Sequence, residues 1–257
     1  MTVASFNLDN LTVTVLDSAE QLADYAAQTV AQTVREVVQE QGTARVVWAT
    51  GNSQIAFLER LPRKPDVPWS QVTGFHLDEY LGIDPAHPAS FRRYLQQKLC
   101  DRLPLAAFHA LQGDALEPLR ECDRYSQLLN AQPIDLCILG IGNNGHLAFN
   151  DPSVADFDDP YTVKLAKLEA TNRQQQLSQG HFPRLEDVPA YAFTLTLSRI
   201  VACRRLLCLV PGAHKAAIVE RLLTGEISPQ CPATLLRQHP QATLLLDRAA
   251  AGQVKLD

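Results

Sequence analysis

The order of segments along the 257-residue chain predicts an α/β fold, a single-domain three-layer sandwich with a mostly parallel, Rossmann-like central sheet spanning residues 1–257. Three observations predict it. Short apolar runs of strand character alternate with helical stretches, the pattern of a parallel sheet covered by helices. A hydrophobic content of 46% at this length is enough to bury a large core, and α/β chains of this size are commonly one domain. No internal repeat, low-complexity tract or linker interrupts the alternation.

Taken in order, Ala19 to Gln41 is rich in Ala, Gln, Val and Glu, with Ser18 before it and Gly42 after it. It reads as an amphipathic helix with ordinary end signals. Arg45 to Ala49 is a β-prone run that feeds Thr50-Gly51-Asn52-Ser53, and Gln54 to Arg60 then opens a helix. The Pro-rich stretch from Leu61 to Trp69 is a surface connection, because core-like patterning resumes on both sides. Val72 to Leu77 is a strand, followed by helices over Ser90 to Cys100 and Leu116 to Leu129. Asp135 to Leu139 is brief, apolar and bounded by turn residues, as a fully buried parallel strand is. Ala192 to Leu197, Arg205 to Val210 and Ala242 to Leu246 supply further strands, with a helix over Ala213 to Leu223.

The stretch from Asp135 to Pro152, DLCILGIGNNGHLAFNDP, carries the strongest chemical signal. Gly140, Gly142 and Gly145 let the backbone turn and approach a ligand, and they deliver His146 at the carboxyl end of a parallel strand, where α/β proteins bind substrates. A strand-to-helix turn with a structural histidine is the competing reading. Thr50-Gly51-Asn52-Ser53 is the best phosphate candidate, since loop amides and a helix N-terminus satisfy phosphate oxygens and two hydroxyls add donors without bulk. A plain N-capping turn is its alternative, and no G-K-[ST] ending follows to support nucleoside triphosphate hydrolysis. The segment GFHLDEYLG, Gly74 to Gly82, sets the adjacent carboxylates Asp78 and Glu79 at the end of an apolar stretch.

GFHLDEYLG and GNNGHLAFN, with WATGNS at Trp48 to Ser53, HPASFRRYL at His87 to Leu95, PGAHKA at Pro211 to Ala216 and CPATLLRQHP at Cys231 to Pro240, occur in an order that resembles the deaminase branch of the glucosamine-6-phosphate isomerase/6-phosphogluconolactonase family. The resemblance runs over nearly the whole chain. It implies isomerisation of glucosamine 6-phosphate with loss of its amine, giving fructose 6-phosphate and ammonia. It implies further that Asp78 takes the C2 proton, that His146 opens the sugar ring with Asp151 orienting its imidazole, and that Lys215 joins Thr50, Gly51, Asn52 and Ser53 at the phosphate. Glu79 is then a supporting or structural residue. Arg173 is the arginine nearest to the one the family places after the histidine loop, several residues out of register, and an exposed helix arginine is its competing reading.

The chain departs from that pattern in four places. Related deaminases carry a Gly-Gly-Thr type sequence where Asn52 and Ser53 stand, aspartate where Asn144 stands, and glutamate where Asp151 stands. An amide orients its neighbours by hydrogen bonds and is not a charged partner for His146. Thr162 occupies the position expected for an effector-contacting arginine, which leaves Lys164 alone as a thin anion site and predicts no allosteric activation. The rival readings are a 6-phosphogluconolactonase, against which stand Tyr80 after the Asp-Glu pair and Asn143-Asn144 in the loop, and a sugar-phosphate-binding regulator without catalysis.

Composition narrows the partners. The net charge of −5 and the lack of a basic stripe mixed with aromatics argue against nucleic acid. No run reaches about 18 apolar residues, and MTVASFNLDN lacks the blocks of a signal peptide, so a cytoplasmic protein with no membrane partner is expected. Cys100, Cys122, Cys137, Cys203, Cys208 and Cys231 form no C-x-x-C pair and read as reduced core residues, so neither a zinc site nor a disulfide is expected. No cofactor is expected, and the assembly is a monomer or small homo-oligomer acting on a small phosphorylated sugar.

Overall fold

In a computed structural model that describes residues 2–178, 180 and 182–253, the chain opens with a hairpin of β1 (Thr2–Leu8) and β2 (Leu11–Leu16), paired antiparallel. The sequence reading assigned nothing before Ala19. β2 alternates Leu, Val and Val with threonines, and Leu11, Val13 and Val15 are fully buried, so the period-2 signal is present in the residues. Helix α1 (Ala19–Gln41) follows, capped as expected by Ser18, whose Oγ accepts from Gln21 N at 3.3 Å, and closed by Gly42 at φ 83°. Leu22, Ala26, Val30 and Val34 form its buried face.

Next come β3 (Ala44–Trp48), α2 (Asn52–Arg60), β4 (Val72–His76), β5 (Asp78–Tyr80) and α3 (Phe91–Leu95), which runs into a π-helical turn over Gln96–Cys100. β6 (Ala107–His109), α4 (Pro118–Asn130), β7 (Leu136–Leu139), β8 (Val163–Lys167), α5 (Ala170–Ser178), β9 (Tyr191–Leu195), α6 (Leu197–Val201), β10 (Arg205–Val210), α7 (Ala216–Thr224) and β11 (Ala242–Asp247) complete it. The main sheet has the order β1-β2-β11-β10-β7-β3-β4-β6, and every pair beyond the hairpin is parallel. Alternation along the strands divides the core into two faces. Val46, Trp48, Leu207 and Leu209 pack with α1 and α2, while Val47, Leu206, Cys208 and Val210 pack with α4, α6 and α7.

One expected strand lies elsewhere. Ala192 to Leu197 was read with the other apolar runs as part of the parallel sheet, but β9 sits between β5 and β8 in a separate three-stranded antiparallel sheet. The chain leaves β4 at His76 and enters β5 at Asp78 with only Leu77 between them. Leu77 N still donates to Trp48 O at 3.2 Å, and its carbonyl accepts from Leu195 N at 3.2 Å. Asp78 therefore stands where the chain changes sheets. After β3 the chain builds outward through β4 and β6, then returns on the other side of β3 to place β7, so a crevice opens over the carboxyl ends of β3 and β7.

Candidate active site

That crevice is a cavity of about 490 Å³, in the size range of small-molecule sites. The loops after β3, β7 and β10 and the start of β5 form its walls. Gly140 makes the close approach possible, since a Cβ there would lie 3.0 Å from Ser53 Oγ. On the β3 side, Thr50, Gly51, Asn52 and Ser53 all line the cavity. Gly51 adopts φ 95° and gives α2 no side-chain cap; Gln54 N donates to Gly51 O at 3.0 Å, which leaves the N–H groups of Asn52 and Ser53 for a ligand.

Lys215 lines the opposite wall, 8% exposed, with Nζ donating to Ile141 O at 2.7 Å and Asn143 Oδ1 at 2.8 Å. Two of its three protons are thus spent on the loop that carries His146, and one remains. Burial pushes its pKa down to about 8. His214 beside it also lines the cavity, and its pKa is lowered by burial and by the Lys215 charge.

His146 is held from behind. Its Nδ1 is 2.8 Å from Asn144 Oδ1 and 3.0 Å from Asp151 Oδ1. Asn144 cannot be turned over without loss, because its Nδ2 donates to Asp151 Oδ1 at 2.9 Å and Glu169 Oε2 at 3.3 Å. Both neighbours of Nδ1 are therefore acceptors, so Nδ1 carries a proton whether or not the ring is charged, and in the neutral ring Nε2 is left to the cavity with a lone pair. Asp151 is fully buried and accepts also from Asn172 Nδ2, at 3.1 Å to each oxygen, and from Glu169 N at 3.1 Å. Burial raises its pKa, but the bond and charge of His146, with Asn144 and the Glu169 amide, outweigh that and bring it below the ordinary carboxylate value. Gly142 passes so close to the imidazole that a Cβ would come within 2.1 Å of the ring.

Asp78 faces the same cavity, 6% exposed, and no described residue donates a hydrogen bond to it. Burial, and secondly the Glu79 charge, hold its pKa well above the usual value. Glu79 points away from the cavity. It accepts from Tyr80 N, Phe91 N, Arg92 N and Ser90 Oγ at 2.8–3.1 Å, which makes it the anchor of the α3 N-terminus. Burial raises its pKa and those donors pull the other way.

Arg173 is not at the cavity. Its guanidinium donates to Leu185 O at 2.7 Å and Val188 O at 2.9 Å, tying down the turn after α5. Two positions along an α-helix turn the side chain by about 200°, and it is Gln175, with Gln176, that α5 presents to the cavity. Sequence reading missed Gln175, Lys98, Tyr94 and His214 on the cavity wall, and Glu169 and Asn172 behind Asp151. His214 adjoins Lys215 in the chain and was open to inspection. Tyr94 lies within HPASFRRYL, a segment to which no role was attached, Lys98 follows it on the π-helical turn outside any motif, and Glu169 and Asn172 lie 18 and 21 residues from the carboxylate they meet.

An open, mostly parallel sheet with a cavity over its switch point, a buried carboxylate that no described residue pairs and an oriented imidazole define a small-molecule α/β enzyme. The chain belongs to the family of glucosamine-6-phosphate isomerases/6-phosphogluconolactonase, whose model matches residues 17–245. It is 34% identical over 240 residues to a glucosamine-6-phosphate deaminase of Bacillus cytotoxicus, covering 93% of this chain and 88% of the relative. A second such deaminase, from an Exiguobacterium species, is 36% identical over 205 residues, 80% of this chain and 78% of the relative. Among solved structures, a monomeric glucosamine-6-phosphate deaminase superposes with a TM-score of 0.86 at 30% identity, covering 94% of this chain and 99% of that one. A 6-phosphogluconolactonase from Trypanosoma brucei shares the fold, with a TM-score of 0.78 at 17% identity, covering 98% of this chain and 100% of that one.

Proposed function

We propose that the chain is an amino-sugar phosphate deaminase that converts glucosamine 6-phosphate and water into fructose 6-phosphate and ammonia. The observation that carries this reading is the placement of Asp78 and His146 on one cavity beside the uncapped α2 N-terminus and Lys215. The Asn52 and Ser53 amides, the hydroxyls of Thr50 and Ser53 and the Lys215 ammonium hold the phosphate, and the sugar extends toward Asp78. His146 Nε2 exchanges the proton that opens the ring, giving the aldehyde with its amine at C2. Asp78 removes the C2 proton and returns it at C1. An ionised carboxylate with no hydrogen-bond donor, in a site that excludes water, is a stronger base than one in solution. The resulting ketose imine is hydrolysed by water, and ammonia leaves.

The test is ammonia release from the 6-phosphates of glucosamine, galactosamine and mannosamine, run beside hydrolysis of 6-phosphogluconolactone. Turnover of one hexosamine phosphate with release of a ketose phosphate is the expected result. Lactone hydrolysis without ammonia release would replace the reading, and binding without turnover of any of these would make the chain a sugar-phosphate sensor.

A further inference from the structure

The carboxylate of Glu169 belongs to no cavity wall, yet it ends the chain of contacts that begins at the His146 ring. It is half-buried at the junction of β8 and α5, where Oε1 accepts from Ser153 N at 2.9 Å and Oε2 from Thr171 Oγ1 at 3.2 Å. These bonds fix Oε2 where it receives one proton of the Asn144 amide at 3.3 Å, while Asp151 Oδ1 receives the other at 2.9 Å. An amide nitrogen with both protons given to carboxylates has one orientation, so its oxygen must face His146, where it lies 2.8 Å from Nδ1 and 3.1 Å from the backbone N. The Glu169 backbone N–H also donates to Asp151 Oδ2 at 3.1 Å. One residue therefore grips both partners of the imidazole.

We infer that Glu169 is a positioning residue that acts through Asn144: it locks the amide so that His146 keeps its proton on Nδ1 and offers a bare Nε2 to the ligand. The inference rests on the proposed deaminase reading for its kinetic readout and on geometry alone for its structural one. Its sharpest consequence concerns position 144. Putting a carboxylate there removes the amide that bridges the two side chains and sets a third carboxylate at the positions now 2.9 Å from Asp151 Oδ1 and 3.3 Å from Glu169 Oε2. Like charges so placed cannot all stay ionised, and the set must take up a proton or move apart. N144D is thus harmful because Glu169 is present. In N144D/E169Q an amide at 169 faces a carboxylate at 144, and one donor is restored to the set.

The experiment is a double-mutant cycle on the full chain, with kcat, KM and thermal midpoint measured for wild type, N144D, E169Q and N144D/E169Q, and the His146 ring followed by 15N NMR without substrate. E169Q should lower kcat about 3- to 30-fold with KM little changed, the range of coupling within one hydrogen-bond network. N144D should lose more, and the double variant should be more active than N144D. In the resting wild type, Nδ1 should carry the ring proton, and E169Q should reduce that tautomer's population. N144D as active as wild type, or losses that multiply in the double variant, would overturn the inference, as would ring signals unchanged by E169Q. If wild type releases no ammonia from any hexosamine phosphate, the functional reading fails, and the ring signals still decide the role of Glu169.

Discussion

At the residue scale, Asp78 sets function against stability. Its pKa is raised in the folded state by burial and by Glu79, so the folded chain resists ionising it. The stability this group contributes is present below its ordinary value near 4 and is lost as pH rises through the folded pKa. Asp78→Asn should therefore lower kcat by at least about a hundredfold with KM little changed, and raise the thermal midpoint at neutral pH. That gain should disappear below about pH 4, where both forms are neutral. An ammonia-release assay and melting curves at two pH values check it, and a lower midpoint at neutral pH would show that Asp78 is structural. Lys215 gives a second test. With its pKa pushed down to about 8, the free protein loses this ammonium above pH 8, so KM for the phosphorylated sugar should climb there. Lys215→Ala should raise KM about 10- to 100-fold at pH 7, as loss of a charge-assisted bond does, and flatten the climb. Because Nζ also ties Ile141 and Asn143, its midpoint should fall too. Asp78, His146 and Lys215, which all line the cavity, could be picked out because Asp78 closes an apolar run and the other two sit where a strand runs out into a glycine-containing loop. The partner of Asn144 was not, because hydrogen bonds spanning 25 residues leave no spacing to read.

At the scale of elements, β5 joins the site to the second sheet through neighbouring carboxylates of opposite fate. Glu79→Gln replaces one acceptor oxygen by an amide that meets the N–H of Arg92 or of Tyr80 and Phe91. Leaving such donors unpaired costs about 1–3 kcal/mol, which denaturant unfolding would measure. The substitution also removes a negative neighbour that raises the Asp78 pKa, so the acid limb of the pH-rate profile should move to lower pH. An unmoved limb would uncouple the two residues. Apolar runs located β3, β7, β10 and β11 within a residue or two, since fully buried strands are continuous hydrophobic segments. The same property hid the sheet to which β9 belongs: a buried run does not record its partners. The helix read over Ser90 to Cys100 is real but divided, with α-helical bonds to Leu95 and wider π-helical ones beyond, a change that depends on packing rather than on residue preference.

At the scale of the molecule, the one anion site considered outside the cavity is closed. Lys164 Nζ donates to Asp159 Oδ2 and to Val154 O, each at 2.8 Å, so its charge is already matched. Hyperbolic rate curves, unchanged by N-acetylglucosamine 6-phosphate, are the expected outcome. A sigmoidal curve that the effector makes hyperbolic would demand a second site with different affinity for two states. The mostly parallel architecture was readable from alternation alone, whereas the order of its strands was not.

That order governs how the chain comes to exist. Among the described residues β11 is the last strand, yet it lies between β10 and β2, paired with both in parallel, and its terminal Asp247 accepts from Gly212 N in the turn that leads to Lys215. During synthesis, then, the hairpin made first has no seat in the sheet until residues 242–247 have left the ribosome. Until that moment β2 and β10 each expose an open edge of apolar backbone, the kind that pairs with other chains, and closing the gap joins residues more than 220 apart, a slow step for any chain. A nascent chain stalled before Ala242 would carry every wall of the cavity and still lack the seam that holds its β10 side in place.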